Sequence, residues 1–106
     1  MTAKEYLRGI GVMQEQIRAM REKICSLGEA AVKDDLGQEV AELEEKRAKA
    51  LMHLASLPDT RGTTLLIRRY VRGQSWKDIA AEMFISRASA FRIHKEALDN
   101  FAIPED

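Results

Sequence analysis

The C-terminal half of the chain contains a group of residues that could contact the edges of nucleic-acid bases. They are Arg87, Ala88, Ser89 and Arg92. Ser86 precedes them and is a favoured N-cap residue, so the sequence predicts that they form the first turns of a helix. Arginine can donate two hydrogen bonds to guanine, and a serine hydroxyl can bind a base or a phosphate. The group therefore predicts a helix that could enter the major groove of DNA.

A second set of residues in the same region is suited to contacts with DNA phosphates. It comprises Arg68, Arg69, Arg72, Lys77, Ser86 and Lys95. Contacts of this kind position a protein on the duplex and do not specify its sequence. The backbone N–H groups that follow Ser86 have no partner in the first turn of a helix, so they could also hold a phosphate.

Basic residues are concentrated between positions 61 and 95. The chain as a whole has 106 residues and no net charge, with 17 basic and 17 acidic residues. The segment 61–95 contains eight basic and two acidic residues, a surplus of six positive charges, so the remainder has an equal negative surplus. A basic segment beside an acidic remainder is typical of a nucleic-acid contact. A solvated helical surface is the alternative interpretation.

The composition indicates a small helical protein without catalytic chemistry. Charged residues make up 32% of the chain, and Gly and Pro are scarce. The single cysteine, Cys25, cannot form an internal disulfide, which favours a reducing cytoplasm. The N-terminal residues MTAKEYLRG lack the apolar stretch of a secretory signal, and no segment approaches the roughly 20 apolar residues that span a bilayer. We therefore expect neither a secretory signal nor membrane contact. No nucleophile–base group, phosphate loop or metal-ligand cluster is present, so we expect no enzyme, metal or cofactor.

Residues 1–57 contain two apolar seams with alternating spacings of four and three residues, which are typical of paired helices. The first comprises Tyr6, Ile10, Met13, Ile17, Met20, Ile24 and Leu27, and the second comprises Leu36, Val40, Leu43, Arg47, Ala50, Leu54 and Leu57. Gly28 is suited to end the first helix, and the segment 28–35 is short and polar. We therefore expect an antiparallel, coiled-coil-like helical hairpin. Pairing within one chain and pairing between two chains fit the seams equally well, which leaves a homodimer through this hairpin open.

Residues 58–106 predict a compact three-helix module, which makes the expected fold all-α. Gly73 ends the first helix of this module, and Ser75 and Ser86 are suited to cap the next two. Two helices joined by a tight turn, with a third before them, form a helix-turn-helix arrangement. In such folds the second helix of the pair enters the major groove, and here that helix would span about residues 86–100.

Three further side chains in the chain have alternative interpretations. We interpret Phe91 as a core residue, with contact to a thymine methyl group as the alternative. His94 is expected to face solvent or to cap a helix, and His53 is expected at the surface.

Residues 57–98, about two-fifths of the chain, resemble region 4 of sigma-70-type factors. The matching pieces are Leu57–Pro58, Arg69–Tyr70, the run SWKDIA from Ser75 to Ala80, Ile85–Ser86–Arg87 and Ala97–Leu98. With FRIHKEAL added, the pattern is more closely similar to small region-4-like regulators of Gram-positive prophages, including the ArpU-like late-operon activators. The resemblance implies DNA binding and transcriptional control. Phe84 departs from it, since the family often has Gly or Asn at that turn, and we expect no room for the other regions of a complete sigma factor.

The preferred function is therefore a sequence-specific, DNA-binding transcriptional regulator of phage or prophage type. Its partner would be double-stranded DNA, and it would be cytoplasmic and nucleoid-associated when bound. One alternative is an adaptor that binds RNA polymerase or another regulator without contacting bases. The other is a small terminase-like DNA-packaging subunit, because such subunits also join a helix-turn-helix to oligomerising helices. Co-purification with polymerase and a ring-sized assembly would distinguish these alternatives.

Overall fold

All regular structure in the described part of the chain, residues 1–27 and 36–104 of this computed structural model, is helical. The helices are α1 (Ala3–Leu27), α2 (Leu36–Ser56), α3 (Arg61–Leu66), α4 (Trp76–Met83) and α5 (Arg87–Asn100). A π-helical segment, Ile67–Val71, continues α3 directly. The predicted all-α class is confirmed. No helix among these residues is long and apolar enough to cross a membrane.

Helices α1 and α2 pack together along the two predicted seams. The fully or nearly fully buried seam residues are Ile10, Ile17, Val40, Ala50 and Leu54. Two polar contacts show the relative direction of the two helices: Arg47 Nε donates to Gln14 Oε1 at 3.1 Å, and Arg21 forms an ion pair with Glu44. Because residue numbers fall along α2 as they rise along α1, the two helices run in opposite directions. The predicted Gly28 cap, the segment 28–35 and the side chains of Leu27 and Leu36 lie outside the described residues.

Side-chain caps explain where α1 and α3 begin. Thr2 Oγ1 accepts a hydrogen bond from the backbone N–H of Glu5 at 3.1 Å, and the Glu5 carboxylate accepts one from the N–H of Thr2 at 3.3 Å. This reciprocal pair is a capping box. Thr60 Oγ1 accepts from the backbone N–H of Thr63 at 3.2 Å in the same way. Pro58 precedes this cap and separates α3 from α2.

Leu7 is fully buried although it lies outside the predicted seam of α1. The reason is a second neighbour, because α1 also packs against the π-helical segment. There, Gln14 Nε2 donates to the carbonyl oxygen of Val71 at 3.1 Å. A helix with two neighbours buries a wider face than a two-helix seam does, so the heptad pattern underestimates the apolar face of α1.

The hydrophobic core consists of two clusters. The first comprises Leu7, Ile10, Ala50, Leu54 and Leu66, with Ala97, Leu98 and Phe101 packed against it. The second comprises Leu65, Ile79 and Ala90, so it joins α3, α4 and α5. The first cluster contains residues from both sides of the predicted boundary after residue 57. The division into units 1–57 and 58–106 therefore remains a prediction, and the two predicted units share this core cluster.

The π-helical segment positions basic and aromatic side chains next to α4 and α5. Its widened turn ends with hydrogen bonds from the N–H of Arg72 to the oxygen of Ile67 and from the N–H of Gln74 to the oxygen of Arg68, both at 3.0 Å. Gly73 follows with a φ of 68°, a left-handed conformation that glycine adopts without steric cost. The predicted end of this helix at Gly73 is thus confirmed, whereas its widening was not predicted. Short π-helical turns are frequent at functional sites.

Candidate nucleic-acid interface

Serine caps fix the start of both α4 and α5, as the sequence predicts. Ser75 Oγ accepts from the backbone N–H of Asp78, and Ser86 Oγ accepts from the backbone N–H of Ser89, both at 3.1 Å. Asp78 also places a carboxylate in the first turn of α4, where the helix dipole favours negative charge. Only residues 84–86 separate the end of α4 from the start of α5, so the Ser86 cap gives α5 a defined starting point relative to α4.

The turn between α4 and α5 has a phenylalanine in a left-handed conformation. Phe84 has φ 58° and ψ 44°, and the residue is 93% exposed. The N–H of Ile85 donates to the oxygen of Ala80 at 3.0 Å, the hydrogen bond of a Schellman C-cap. Glycine is the usual residue at this position. The turn therefore has the geometry of a glycine cap although its residue has a bulky side chain.

Helix α5 presents most of its predicted base-contacting residues to solvent. Arg87, Ala88 and Arg92 are exposed, whereas Ser89 is half-buried. Lys95 is also exposed one turn after Arg92. None of these three cations forms an ion pair with another residue in the described part of the chain. The outer face of α5, defined by Arg87, Ala88, Arg92 and Lys95, is therefore basic and available to a ligand.

The two serines at the start of α5 are already bonded to each other. Ser86 Oγ accepts from the backbone N–H of Ser89 and donates to Ser89 Oγ at 3.1 Å. Ser86 is thus a cap, and its hydroxyl proton is engaged. Ser89 Oγ can still donate its own proton to an external acceptor, which is compatible with contact to a base or a phosphate.

Two of the predicted phosphate-binding arginines have internal partners. Arg68 forms an ion pair with Glu82 of α4, and its Nε is buried without a hydrogen bond in the described residues. Arg69 Nη1 donates to the carbonyl oxygen of Gln74 at 2.9 Å, and its guanidinium lies 4.9 Å from the centre of the Trp76 ring. Both arginines therefore attach the π-helical segment to α4.

The other predicted phosphate contacts lie at the surface. Arg72 and Lys77 are exposed on either side of the Ser75 cap, and Lys95 is exposed on α5. Arg61 was not among the predicted site residues, but it lines the same cleft between α3 and α5 as Arg92. Its charge was visible in the sequence, whereas its proximity to Arg92 depends on how α3 packs against α5.

Trp76 lies at the centre of a ring cluster between the π-helical segment and α5. Its ring contacts His94 with centroids 4.9 Å apart and Phe91 with centroids 4.8 Å apart, both edge-on. Tyr70 Oη and His94 Nε2 form a hydrogen bond of 2.7 Å. Burial lowers the pKa of His94, and the positive charges of Lys4 and Arg69 lower it further. Burial likewise raises the pKa of the Tyr70 hydroxyl, so the neutral form of each group is favoured.

Two sequence interpretations are corrected by this geometry. His94 does not face solvent, because it is half-buried against Trp76 and bonded to Tyr70. Phe91 is not a core residue, because the residue is 48% exposed. His53 is partly exposed, and its Nε2 donates to the carbonyl oxygen of Ala102 at 2.8 Å.

Comparisons of this chain with protein-family models, with curated proteins and with solved structures find no match.

Proposed function

We propose that this chain is a sequence-specific, DNA-binding transcriptional regulator of phage or prophage type. In this proposal α3, α4 and α5 form a helix-turn-helix module, and α1 and α2 form the antiparallel hairpin that precedes it. The strongest support is the outer face of α5, where Arg87, Arg92 and Lys95 are exposed and have no ion-pair partner among the described residues. A basic face on the second helix of a tightly joined pair suits the major groove.

The dimensions and chemistry of α5 agree with this role. Its 14 residues extend about 21 Å, and the major groove is about 12 Å wide, enough to admit a helix. Arg87 lies in the first turn and Arg92 in the second, so both are near the end that contacts base edges in such folds. Each arginine would donate a pair of hydrogen bonds to a guanine, and the small Ala88 between them lets the helix approach the bases.

Phosphate contacts would come from the residues around this helix. Arg72 and Lys77 are exposed and could reach the backbone on one side of α5. The first N–H groups of α5 add donors whose orientation suits an anion. Arg68 and Arg69 would act instead by holding α4 in place, since their guanidinium groups have internal partners.

An adaptor that binds RNA polymerase or another regulator is a second candidate function, and Phe84 is the observation that favours it. A fully exposed phenylalanine in a strained turn is costly for the free protein, and such strain is common at functional sites. In this case immobilised protein would retain polymerase from a nuclease-treated extract, and Phe84→Ala would reduce that retention.

The primary proposal is tested by selecting duplexes from a random-sequence library and then measuring binding to the selected duplex by fluorescence anisotropy. We expect enrichment of one sequence and a preference for it over unrelated duplex. Arg87→Ala with Arg92→Ala should weaken binding to the selected duplex by at least about 30-fold, because each arginine–base pair contributes about 1–3 kcal/mol of discrimination. Circular dichroism should show unchanged helical content.

A matched control separates base contacts from net charge. Arg18→Ala with Lys23→Ala removes the same two charges from exposed positions on α1. This variant should keep its preference for the selected duplex. Equal losses in the two double variants would contradict the assignment of α5, and the absence of any enriched sequence would contradict the proposed function.

The salt dependence of binding gives an independent check. Six basic residues between positions 61 and 95 are exposed: Arg61, Arg72, Lys77, Arg87, Arg92 and Lys95. Each phosphate contact contributes about −0.9 to the slope of log affinity against log salt concentration. The slope for one protomer should therefore be no steeper than about −5.4 if binding uses this surface alone.

A further inference from the structure

Phe91 is an aromatic side chain that α5 leaves exposed beside its basic residues. The residue is 48% exposed. Arg87 precedes it by four residues and Lys95 follows it by four, a spacing that places the three side chains along one side of the helix. A ligand that reaches Arg87 and Lys95 would therefore meet the Phe91 ring between them.

The Phe91 ring packs against the ring of Trp76. The edge-on contact with Trp76, with centroids 4.8 Å apart and planes inclined by 62°, fixes its orientation. Trp76 is itself held by the Arg69 guanidinium, which is anchored to the carbonyl oxygen of Gln74 at 2.9 Å. Phe91 is nevertheless 48% exposed, so this contact orients a ring that a ligand can still reach.

The position combines an apolar ring with a positive charge on either side, which suits a ligand that presents an apolar group between negatively charged groups. The major groove offers phosphates at its edges and, at each thymine, a methyl group that apolar side chains contact. We propose that Phe91 contacts the 5-methyl group of a thymine and is thereby a specificity-determining residue. This inference rests on the proposed function, because it requires α5 to lie in the major groove.

The experiment uses the duplex selected by the full-length protein. Each thymine in that duplex is replaced singly by deoxyuridine, which removes the methyl group and leaves base pairing intact. Affinities are measured by anisotropy for the wild-type protein, Phe91→Ala, Phe91→Leu and the control Phe84→Ala. Phe84 is also an exposed phenylalanine, but it lies outside α5.

One deoxyuridine should weaken wild-type binding by about fourfold, the factor expected for one buried methyl-sized group. The same replacement should have no effect on Phe91→Ala, a reduced effect on Phe91→Leu, and the full effect on Phe84→Ala. Melting curves of the variants show whether each remains folded, and Phe91→Leu keeps an apolar side chain against Trp76.

The outcomes separate this inference from the function on which it rests. A selected duplex in which no deoxyuridine weakens wild-type binding would overturn the role of Phe91 and leave sequence-specific binding intact. Equal deoxyuridine effects in wild type and Phe91→Ala would also overturn it, because the methyl group would then contact another residue. Loss of polymerase retention in Phe91→Ala, without selection of any duplex, would assign the exposed ring to a protein partner and overturn both proposals.

Discussion

Phe84→Gly should stabilise the protein although it removes a large aromatic side chain. Phe84 occupies the left-handed region, with φ 58° and ψ 44°, which costs an L-residue about 1–2 kcal/mol. Glycine adopts this conformation without that cost. Phe84 is 93% exposed, so removal of its side chain gives up almost no buried apolar surface.

The expected gain is the strain relieved minus the extra freedom of glycine in the unfolded chain. That freedom costs about 0.4–1 kcal/mol in stability. The net increase in the free energy of unfolding should therefore lie between about 0 and 1.6 kcal/mol, with a midpoint of about 0.8 kcal/mol. For a chain of this size, an increase of about 0.8 kcal/mol corresponds to a rise in melting temperature of about 3–6 °C.

Urea unfolding followed by far-UV circular dichroism measures this change, and Phe84→Ala is the matched control. Alanine also removes the ring but keeps Cβ, so it retains the backbone strain. We expect its stability to lie within about 0.5 kcal/mol of the wild type, as for most surface substitutions. Equal stabilisation by Ala and Gly would show that the exposed ring, not the backbone, was unfavourable. A loss of stability in Phe84→Gly would refute the strain argument.

Two further predictions concern the ring cluster and the shared core. Because burial lowers the pKa of His94, the folded state favours its neutral form, so stability should be full above about pH 6.5 and fall as the pH drops through the folded-state pKa. His94→Gln should flatten this dependence in unfolding curves between pH 7.5 and 5, and an unchanged dependence would assign it to other groups. Leu7→Ala should lower the free energy of unfolding by about 2–5 kcal/mol. Unfolding should then begin at a lower denaturant concentration, and Trp76 fluorescence and circular dichroism should give the same midpoint. Val12→Ala, at an exposed position of the same helix, should have little effect on stability. If Leu7→Ala leaves the midpoint of the Trp76 transition unchanged, residues 1–57 and 58–106 unfold separately.

Features set by a few neighbouring residues were predictable from the sequence. The caps at Ser75 and Ser86 were predicted correctly because a cap depends on one side chain and the N–H groups two or three residues later. The end of the third helical stretch at Gly73 was predictable for the same reason. The seams of α1 and α2 followed from helical periodicity. Leu7 did not, because its burial depends on a second neighbour that the heptad pattern does not describe.

Helical angle predicts the environments of Phe91 and His94 better than side-chain polarity does. Successive residues of an α-helix are about 100° apart, so His94 lies only about 40° from the buried Ala90, whereas Phe91 lies about 100° from it. The angle alone places His94 on the inner side, where Tyr70 provides a hydrogen-bond partner. Such a partner comes from another helix, so the sequence near His94 does not reveal it. The apolar side chain is left at the surface instead.

The charge pattern of the segment 61–95 overestimates the surface available to phosphates for a related reason. A count of charges does not include their partners, and Arg68 and Arg69 are both engaged within the fold. Arg69 nevertheless bears on the proposed DNA contact, because it supports Trp76, and Trp76 orients Phe91. Substitution of Arg69 would therefore act through the position of an aromatic ring on α5. A loss of DNA affinity in such a variant, with the salt dependence unchanged, would show that Arg69 acts by orienting Phe91 through Trp76. A smaller salt dependence would instead show that Arg69 contacts a phosphate.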